Sequence, residues 1–288
     1  MNNMLSIVIV TFNNEDHIAS CITSLNYIKQ KKEIIVFDNN SSDSTIEALK
    51  KFKGIKVIEN PVNLGFGSAV NNAAKIASGD NLLILNPDTA LRNENYQYLT
   101  EKLNINEKIG AIGVKMWTKG KHAVSVGYFP KLSNIFFLRN LLNHKSLSFK
   151  RVTKVDWIQG SFLLMRKKVF LDIGGFSRNI FLYGEDIDLC YRLADKRYDV
   201  IYEPDFSYDH IGGFSPKKTH LVIAGIIHFF KTHKKHHLPH SLKILELSLF
   251  AKKYFAGLSF GSQSENRKVH LKSIRIALDY IKDEKNNL

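Results

Sequence analysis

The sequence predicts an α/β fold, a mostly parallel mixed sheet flanked by helices and continued by a basic helical extension. Three observations predict it. Between residues 1 and 110, continuous apolar runs alternate with segments of helical periodicity. A polar cluster follows each of these runs, and from Ser215 onward the chain reads as helical and basic. Apolar runs that do not alternate with polar residues belong to strands buried on both faces, and intervening helices make such strands parallel.

The elements follow in order. Ser6 to Val10 is the first apolar run and ends at Thr11-Phe12-Asn13-Asn14. Asp16 to Lys29 has helical spacing through Ile18, Cys21, Ile22 and Leu25. Glu33 to Phe37 is the second strand, closed by Asp38, and Ser42 or Asp43 can cap a helix running to Phe52. Ile55 to Ile58 is a third strand, Gly67 to Ala77 a helix, and Asn81 to Leu85 a fourth strand. Parallel sheets bind ligands beyond the carboxyl ends of their strands. Thr11 and Asn13, the run Asp38 to Asp43, Asn60 with Asn63-Leu64-Gly65, and Asn86-Pro87-Asp88 all fall at those ends. Each alone is an ordinary turn; four on one edge make a site. Neither a dinucleotide fingerprint nor a P-loop occurs.

Ile109 to Met116 reads as a further strand, Trp117 to Lys154 as an insertion, and Trp157 to Met165 as a strand in which Gly160 and Ser161 admit a ligand close to the backbone. Arg166 to Leu171 is a short helix, and Tyr198 to Tyr202 a last strand before Glu203-Pro204-Asp205. Between them lies Phe181 to Arg192, FLYGEDIDLCYR, with Glu185, Asp186, Asp188 and Arg192 within eight residues. Ile187, Leu189, Cys190 and Leu193 give this stretch an amphipathic face, with Glu185 and Asp186 in the first turn, where the helix dipole favours carboxylates. Read alone, it is a capped surface helix. Asp188 and Arg192 are four residues apart and can brace it. Beyond Ser215, Leu221 to Phe230, His240 to Phe255 and Asn266 to Ile281 read as amphipathic helices.

The 288 residues carry a net charge of +14, unevenly placed. Lys108 to Val155 holds ten Lys/Arg and no acid, and Ser215 to Leu288 holds fourteen against five, leaving the remainder at −5. Basic flanks around a slightly acidic core fit an anionic surface or acceptor, or simply two solvated faces. The stretch FPKLSNIFFLRNLL, residues 129 to 142, reads as a helix packed on the core or as a membrane-facing acceptor loop. The histidines of KTHKKHHLPH lack metal-ligand spacing and read as a solvated or membrane-surface face. Cys21 and Cys190 are expected as buried, reduced thiols of a cytoplasmic protein. The apolar N-terminus is too short for a signal peptide, and no run reaches the about 18 apolar residues of a spanning helix.

The segments SIVIVTFNN, VFDNNSSDST, NPVNLGFGSAVNNA, LLILNPD, WIQGSFLLMR and GGF followed by FLYGEDIDLCYRL, with His210 before a Gly-Gly, resemble the family-2 glycosyltransferases, in particular a bacterial rhamnosyltransferase-like branch. The likeness covers about Leu5 to Ser215 in unbroken order. It implies the GT-A fold, a Rossmann-like mixed sheet, with a catalytic domain over residues 1–215 and the extension over 216–288. The donor-binding half would be about 1–110 and the acceptor-binding half about 111–215. It also implies inverting transfer of a sugar from a nucleotide-diphosphate donor, dTDP-rhamnose or a UDP-sugar, to a hydroxyl of a cell-surface glycan or lipid-linked acceptor. By the same likeness Thr11, Asn13, Asp38, Asn63, Gly65, Asn71 and Asp88 would bind the donor. Asp88 and His210 would hold Mg²⁺ or Mn²⁺, although Asn86 stands where the family usually has a first Asp. Asp186 would be the catalytic base, with Glu185, Trp157 and Gly160 on the acceptor side. The chemistry supports these roles: a diphosphate leaving group needs its charge neutralised, and inversion needs one base opposite it.

Two other classes compete. A sugar nucleotidyltransferase has a similar sheet but usually a Gly-rich basic segment after the first strand, where this chain has Thr11-Phe12-Asn13-Asn14. A non-catalytic basic protein that binds membrane or nucleic acid leaves Asp38, Asp88 and Asp186 unexplained. The expected partners are therefore the donor, the glycan acceptor and an anionic membrane surface at the inner face of the cell membrane. No nucleic acid is expected, and self-association into a homo-oligomer stays open.

Overall fold

A computed structural model of the chain describes residues 4–136, 149–212, 218–259 and 265–288, with side chains left aside for 254–259 and 265–267. It resolves into two units. The first comprises residues 1–128, 145–181 and 185–213; the second comprises 129–144, 182–184 and 214–288. A single cut at Ser215 falls outside the described residues, and the second unit also takes in 129–144 and 182–184, which the sequence reading assigned to the acceptor half.

The first unit is built on a ten-stranded mixed sheet. Its strands are β1 (Leu5–Thr11), β2 (Lys32–Asp38), β3 (Ile55–Glu59), β4 (Asn81–Leu85), β5 (Thr89–Leu91), β6 (Ile109–Thr118), β7 (Lys121–Ala123), β9 (Thr153–Val155), β11 (Phe162–Arg166) and β12 (Asp199–His210); β8 (Val126–Gly127) and β10 (Trp157–Ile158) form a separate pair. The order is β3-β2-β1-β4-β11-β6-β12-β5, with β7 on β6 and β9 on β12. Strands β3, β2, β1 and β4 are parallel, while β11 runs antiparallel between β4 and β6. Because β11 runs the other way, its amino end lies at the same edge as the carboxyl ends of β1, β2 and β4. Phe162 pairs with Leu85, so the Gly160-Ser161 turn opens onto that edge.

Helices α1 (Ile18–Ser24), α2 (Thr45–Leu49), α3 (Phe66–Ile76), α4 (Gln97–Ile105), α6 (Lys167–Asp172) and α7 (Glu185–Asp195) complete this unit, and α5 (Leu132–Ile135) belongs to the second. Ile7, Val8 and Ile9 in β1 are fully buried. Successive strand side chains point to opposite faces, so both faces are covered, as the unbroken apolar runs require.

The helix expected over Asp16 to Lys29 is Ile18–Ser24 followed by a tighter turn at Leu25–Tyr27, and three other departures have a clear local reason. The helix expected from Ser42 or Asp43 to Phe52 is only Thr45–Leu49, because Ser42 N–H donates to Asn13 Oδ1 and Asp43 accepts from Glu15 and Thr45. The strand expected over Trp157 to Met165 is broken at 159–161, where Gly160 N–H turns out of the ladder towards Asp186. The last strand does not stop before Pro204. It runs to His210 through an irregularity between Glu203 and Ser207, which absorbs a proline that cannot donate to the ladder.

The second unit contains α8 (Thr219–His233), α9 (Leu238–Ser259) and α10 (Glu265–Asn286). Ile223, Ile227, Leu242, Leu245, Leu249, Ala277 and Ile281 are its buried core. Lys231 pairs with Glu284 at 3.0 Å and Lys285 with Glu246 at 2.6 Å. Ser248 Oγ donates to Phe136 O at 2.6 Å, which ties α9 to the segment after α5. Gly225 in α8 lets the backbone of Tyr183 and Gly184 approach; a Cβ there would lie 2.2 Å from Tyr183 O. Of the stretch 129–142, residues 137–142 lie outside the described residues. No helix among the described residues is long and apolar enough to cross a membrane.

Candidate active site

The carboxyl edge of β1 and β2 is stitched together by polar side chains. Thr11 Oγ1 donates to Asp38 Oδ1 at 2.8 Å, and Ser41 donates to the same carboxylate through its N–H, at 2.8 Å, and its hydroxyl, at 2.5 Å. Asn13, in the left-handed region at φ 55°, donates its N–H to Ser41 Oγ at 2.9 Å and accepts from Ser42 N–H at 2.8 Å. Asn39 carries the network to the next loop. Its Nδ2 donates to Gly65 O at 3.1 Å and its Oδ1 accepts from Leu64 N–H at 3.2 Å. Asn63 Oδ1 accepts from Gly65 N–H at 2.9 Å, closing the turn before α3. Gly65 has φ 79°, and a Cβ there would lie 2.5 Å from Phe181 O, so only glycine fits. Thr11, Asn13, Asp38, Asn63 and Gly65 thus share one edge. Asn39 and Ser41 belong with them; the DNNSS run was the available signal.

Asp88 and His210 meet at the end of β4 and β12. His210 Nε2 lies 3.3 Å from Asp88 Oδ2, and Gly212 N–H donates to that oxygen at 3.2 Å. Antiparallel pairing of β5 with β12 sets His210 opposite Thr89 and so beside Asp88. Burial pushes the Asp88 carboxyl up, but the hydrogen bond and attraction of His210, with a backbone N–H and His17, outweigh it and hold the carboxyl below its ordinary value. Asp88 and His210 offer one hard oxygen donor and one imidazole nitrogen in contact, a donor set that suits Mg²⁺ or Mn²⁺ when a ligand supplies the remaining positions. No group of three or more His, Cys, Asp or Glu able to hold a metal occurs among the described residues.

The acidic helix α7 begins across the Gly160-Ser161 turn. Gly160 N–H donates to Asp186 Oδ2 at 3.2 Å, and Ile187 N–H to Asp186 Oδ1 at 2.9 Å. Asp186 is half-buried. Burial pushes its carboxyl above the ordinary value against the opposing pull of those N–H groups. Such a carboxylate is a stronger base than an exposed one and accepts a proton more readily. Glu185 is buried beside it. Asp188 and Arg192 pair on the same helix at 2.7 Å, and Arg192 also donates to Ile173 O and Gly175 O. Ser161 Oγ and Tyr208 Oη lie 2.6 Å apart, joining the turn to β12; burial pushes the Tyr208 phenol up. Tyr208 had no signal in the sequence, because only the irregular register of β12 brings it inward.

Two of the expected site residues point elsewhere. Trp157 is buried, its ring lies against Gly127, and its indole N–H donates to Tyr128 O at 3.0 Å, so the side chain is core and only the neighbouring backbone faces the turn. Asn71 is buried with both ends of its amide bonded to the backbone of Phe176.

Comparison with known proteins gives the family. The model of glycosyl transferase family 2 matches residues 6–174, a span that includes the stitched edge and Asp88 but ends before Asp186 and His210. The chain is 32% identical over 222 residues to rhamnosyltransferase WbbL of Escherichia coli K12, covering 72% of this chain and 83% of that one. It is 25% identical over 240 residues to an N-acetylglucosaminyl-diphospho-decaprenol L-rhamnosyltransferase of Mycobacterium tuberculosis, covering 73% and 76%. In fold it is similar to GalNAc-T7 solved with UDP, GalNAc and Mn²⁺, with a TM-score of 0.59, 14% identity, and coverage of 98% of this chain and 56% of that one. Neither a nucleotidyltransferase nor a non-catalytic binding protein is favoured. The chain belongs to glycosyl transferase family 2, in its rhamnosyltransferase-like branch, and is a GT-A-fold glycosyltransferase that acts on a nucleotide-sugar donor.

Proposed function

We propose that the enzyme transfers a sugar with inversion from dTDP-rhamnose or a UDP-sugar to a hydroxyl of a cell-surface glycan or lipid-linked acceptor, with Asp186 as the base. The observation that carries this reading is the Asp186 carboxylate at the start of α7, bonded to the N–H groups of Gly160 and Ile187 and raised in basicity by burial. Asp186 takes the acceptor proton as the hydroxyl oxygen attacks the anomeric carbon, and the nucleoside diphosphate leaves from the opposite face. Glu185 and the backbone of Gly160 border the acceptor. The base and ribose lie along Thr11, Asn13, Asp38, Asn63 and Gly65; Asp38 accepts from a pyrimidine ring N–H. Asp88 and His210 would hold Mg²⁺ or Mn²⁺ against the diphosphate, where the ion supplies neutralisation of the leaving charge. Two protein donors alone would not complete a coordination shell, so such an ion would also need oxygens from the donor.

The rhamnosyl relatives favour dTDP-rhamnose, and the lipid-diphosphate named for the mycobacterial relative favours a lipid-linked acceptor. A peripheral place at the inner face of the cell membrane is supported by the basic balance of residues 215–288. A donor panel with Mg²⁺ or Mn²⁺, read as nucleoside diphosphate release, tests the reading. Release with dTDP-rhamnose or a UDP-sugar and an acceptor is expected. Pyrophosphate release, or no turnover with any donor, would overturn it.

A further inference from the structure

Asn71 is a buried amide on α3 that the donor loops do not use. Its Nδ2 donates to Phe176 O and its Oδ1 accepts from Phe176 N–H, both at 2.8 Å. A side-chain amide that matches both polar groups of one residue holds that residue as a strand partner would. Phe176 lies in the loop that leads to α7, and other contacts press the same loop onto α3. Gly175 has φ 67°, and a Cβ there would lie 2.3 Å from Asn71 Oδ1; a Cβ on Gly67 would lie 2.8 Å from the Cβ of Phe176. Phe66 N–H donates to Phe181 O at 3.0 Å, and the rings of Phe66 and Phe176 are 5.7 Å apart.

The loop is gripped from its other side by the catalytic helix. Arg192 donates to Ile173 O at 2.6 Å and Gly175 O at 2.7 Å while bonded to Asp188, two residues after Asp186. A continuous path therefore runs from Asn71 through Phe176 and Gly175 to Arg192, Asp188 and the first turn of α7. Its end is the helix turn whose Asp186 meets Gly160, where a Cβ would lie 3.4 Å from the Phe66 ring.

We propose that Asn71 is a positioning residue for the transfer reaction: with Arg192 it clamps the 173–181 loop and so sets where Asp186 stands, and it does not touch the donor. The inference rests on Asp186 being the base. A misplacement of about 1 Å at a reacting group can cost about 100-fold in rate, so a clamp this far from the chemistry has a catalytic readout.

The test compares Asn71→Asp and Asn71→Ala in the full chain, with the donor that the panel identifies. Asn71→Asp keeps the volume and the bond from Phe176 N–H but sets a carboxylate oxygen against Phe176 O. It remains informative if Asn71→Ala does not fold. Expected for Asn71→Asp are a kcat lower by about 10- to 100-fold, an unchanged donor KM, unchanged calorimetric binding of UDP or dTDP, and a shifted acid limb of the pH–kcat profile. Combined with Arg192→Lys, the loss in kcat is expected to be smaller than the product of the two single losses, since both act on one loop. Loss of nucleotide binding at full kcat would make Asn71 a donor ligand and overturn the proposal. So would lower thermal stability with unchanged kcat, or strictly multiplicative losses. Asp186→Asn separates the two claims: if it retains full transfer, the base assignment fails; if it is inactive while Asn71→Asp turns over normally, only the positioning role fails.

Discussion

The two sides of the strand edge are built differently. On the β1–β2 side the loops are bonded to one another: Asp38 accepts three hydrogen bonds, Asn13 has two partners, and Asn39 ties one loop to the next. On the other side, Asp186 accepts two N–H groups, and Asp88 meets one N–H and one imidazole. The first arrangement ties three loops into one shape; the second involves fewer side chains and joins carboxylates mainly to backbone N–H groups. On the proposed reading the β1–β2 edge would cradle the nucleoside, which transfer leaves unchanged, so it can be rigid. On the same reading, Asp88 and Asp186 would face charge that changes during the reaction.

Mutations can break this contrast. The largest effect is expected for Asp186→Asn, with kcat lower by about 100- to 10,000-fold and nucleotide binding unchanged; equal loss of donor affinity would show that the two sides are not separable. Stability should move the other way. A carboxyl whose folded pKa is raised contributes its stability below the unfolded value and loses it as pH rises through the folded value. Ionised Asp186 therefore costs stability at neutral pH. Thermal unfolding of Asp186→Asn at pH 7 should show a midpoint no lower than the parent's, and kcat of the parent should fall with acid from a pH above the ordinary carboxylate range.

An intermediate effect is expected for Asp88→Ala. Losing a charged hydrogen-bonding partner costs about 1.5–3 kcal/mol, read as weaker donor binding with Mg²⁺ or Mn²⁺ present. Titrations that give the same affinity with and without the ion, in parent and variant alike, would remove Asp88 from the metal site. For Asp38→Ala the expected loss is mainly structural, about 1–3 kcal/mol in denaturant unfolding, because Thr11 and Ser41 lose their acceptor. A variant as stable as the parent would mean that the stitched edge is not the rigid side.

The same contrast sets what could be read from sequence. Asn81 to Leu85 was bounded as the structure has it, and β1 and β2 within about two residues, the usual boundary error, since buried parallel strands announce themselves as apolar runs. The polar run after β2 was legible because its bonds connect neighbouring loops. Asn71 and Trp157 were not, since an amide or indole in an apolar context turns towards whichever backbone group tertiary packing supplies. Pro204 read as a strand end because a proline breaks a ladder, and only the partner strand shows that the ladder resumes at Ser207.

The Asp88–Gly212 hydrogen bond has a consequence for how the protein is made. Thr11 and Asp38 are separated by 27 residues, Asn13 and Ser42 by 29, and Asn39 and Gly65 by 26, so each of these bonds joins loops close in the chain. Asp88 and Gly212 are 124 residues apart. Closing that loop waits on the rest of the first unit, and distant pairings form late. The β1–β2 edge is thus local in the chain, whereas the Asp88 end of the site depends on a pairing made late.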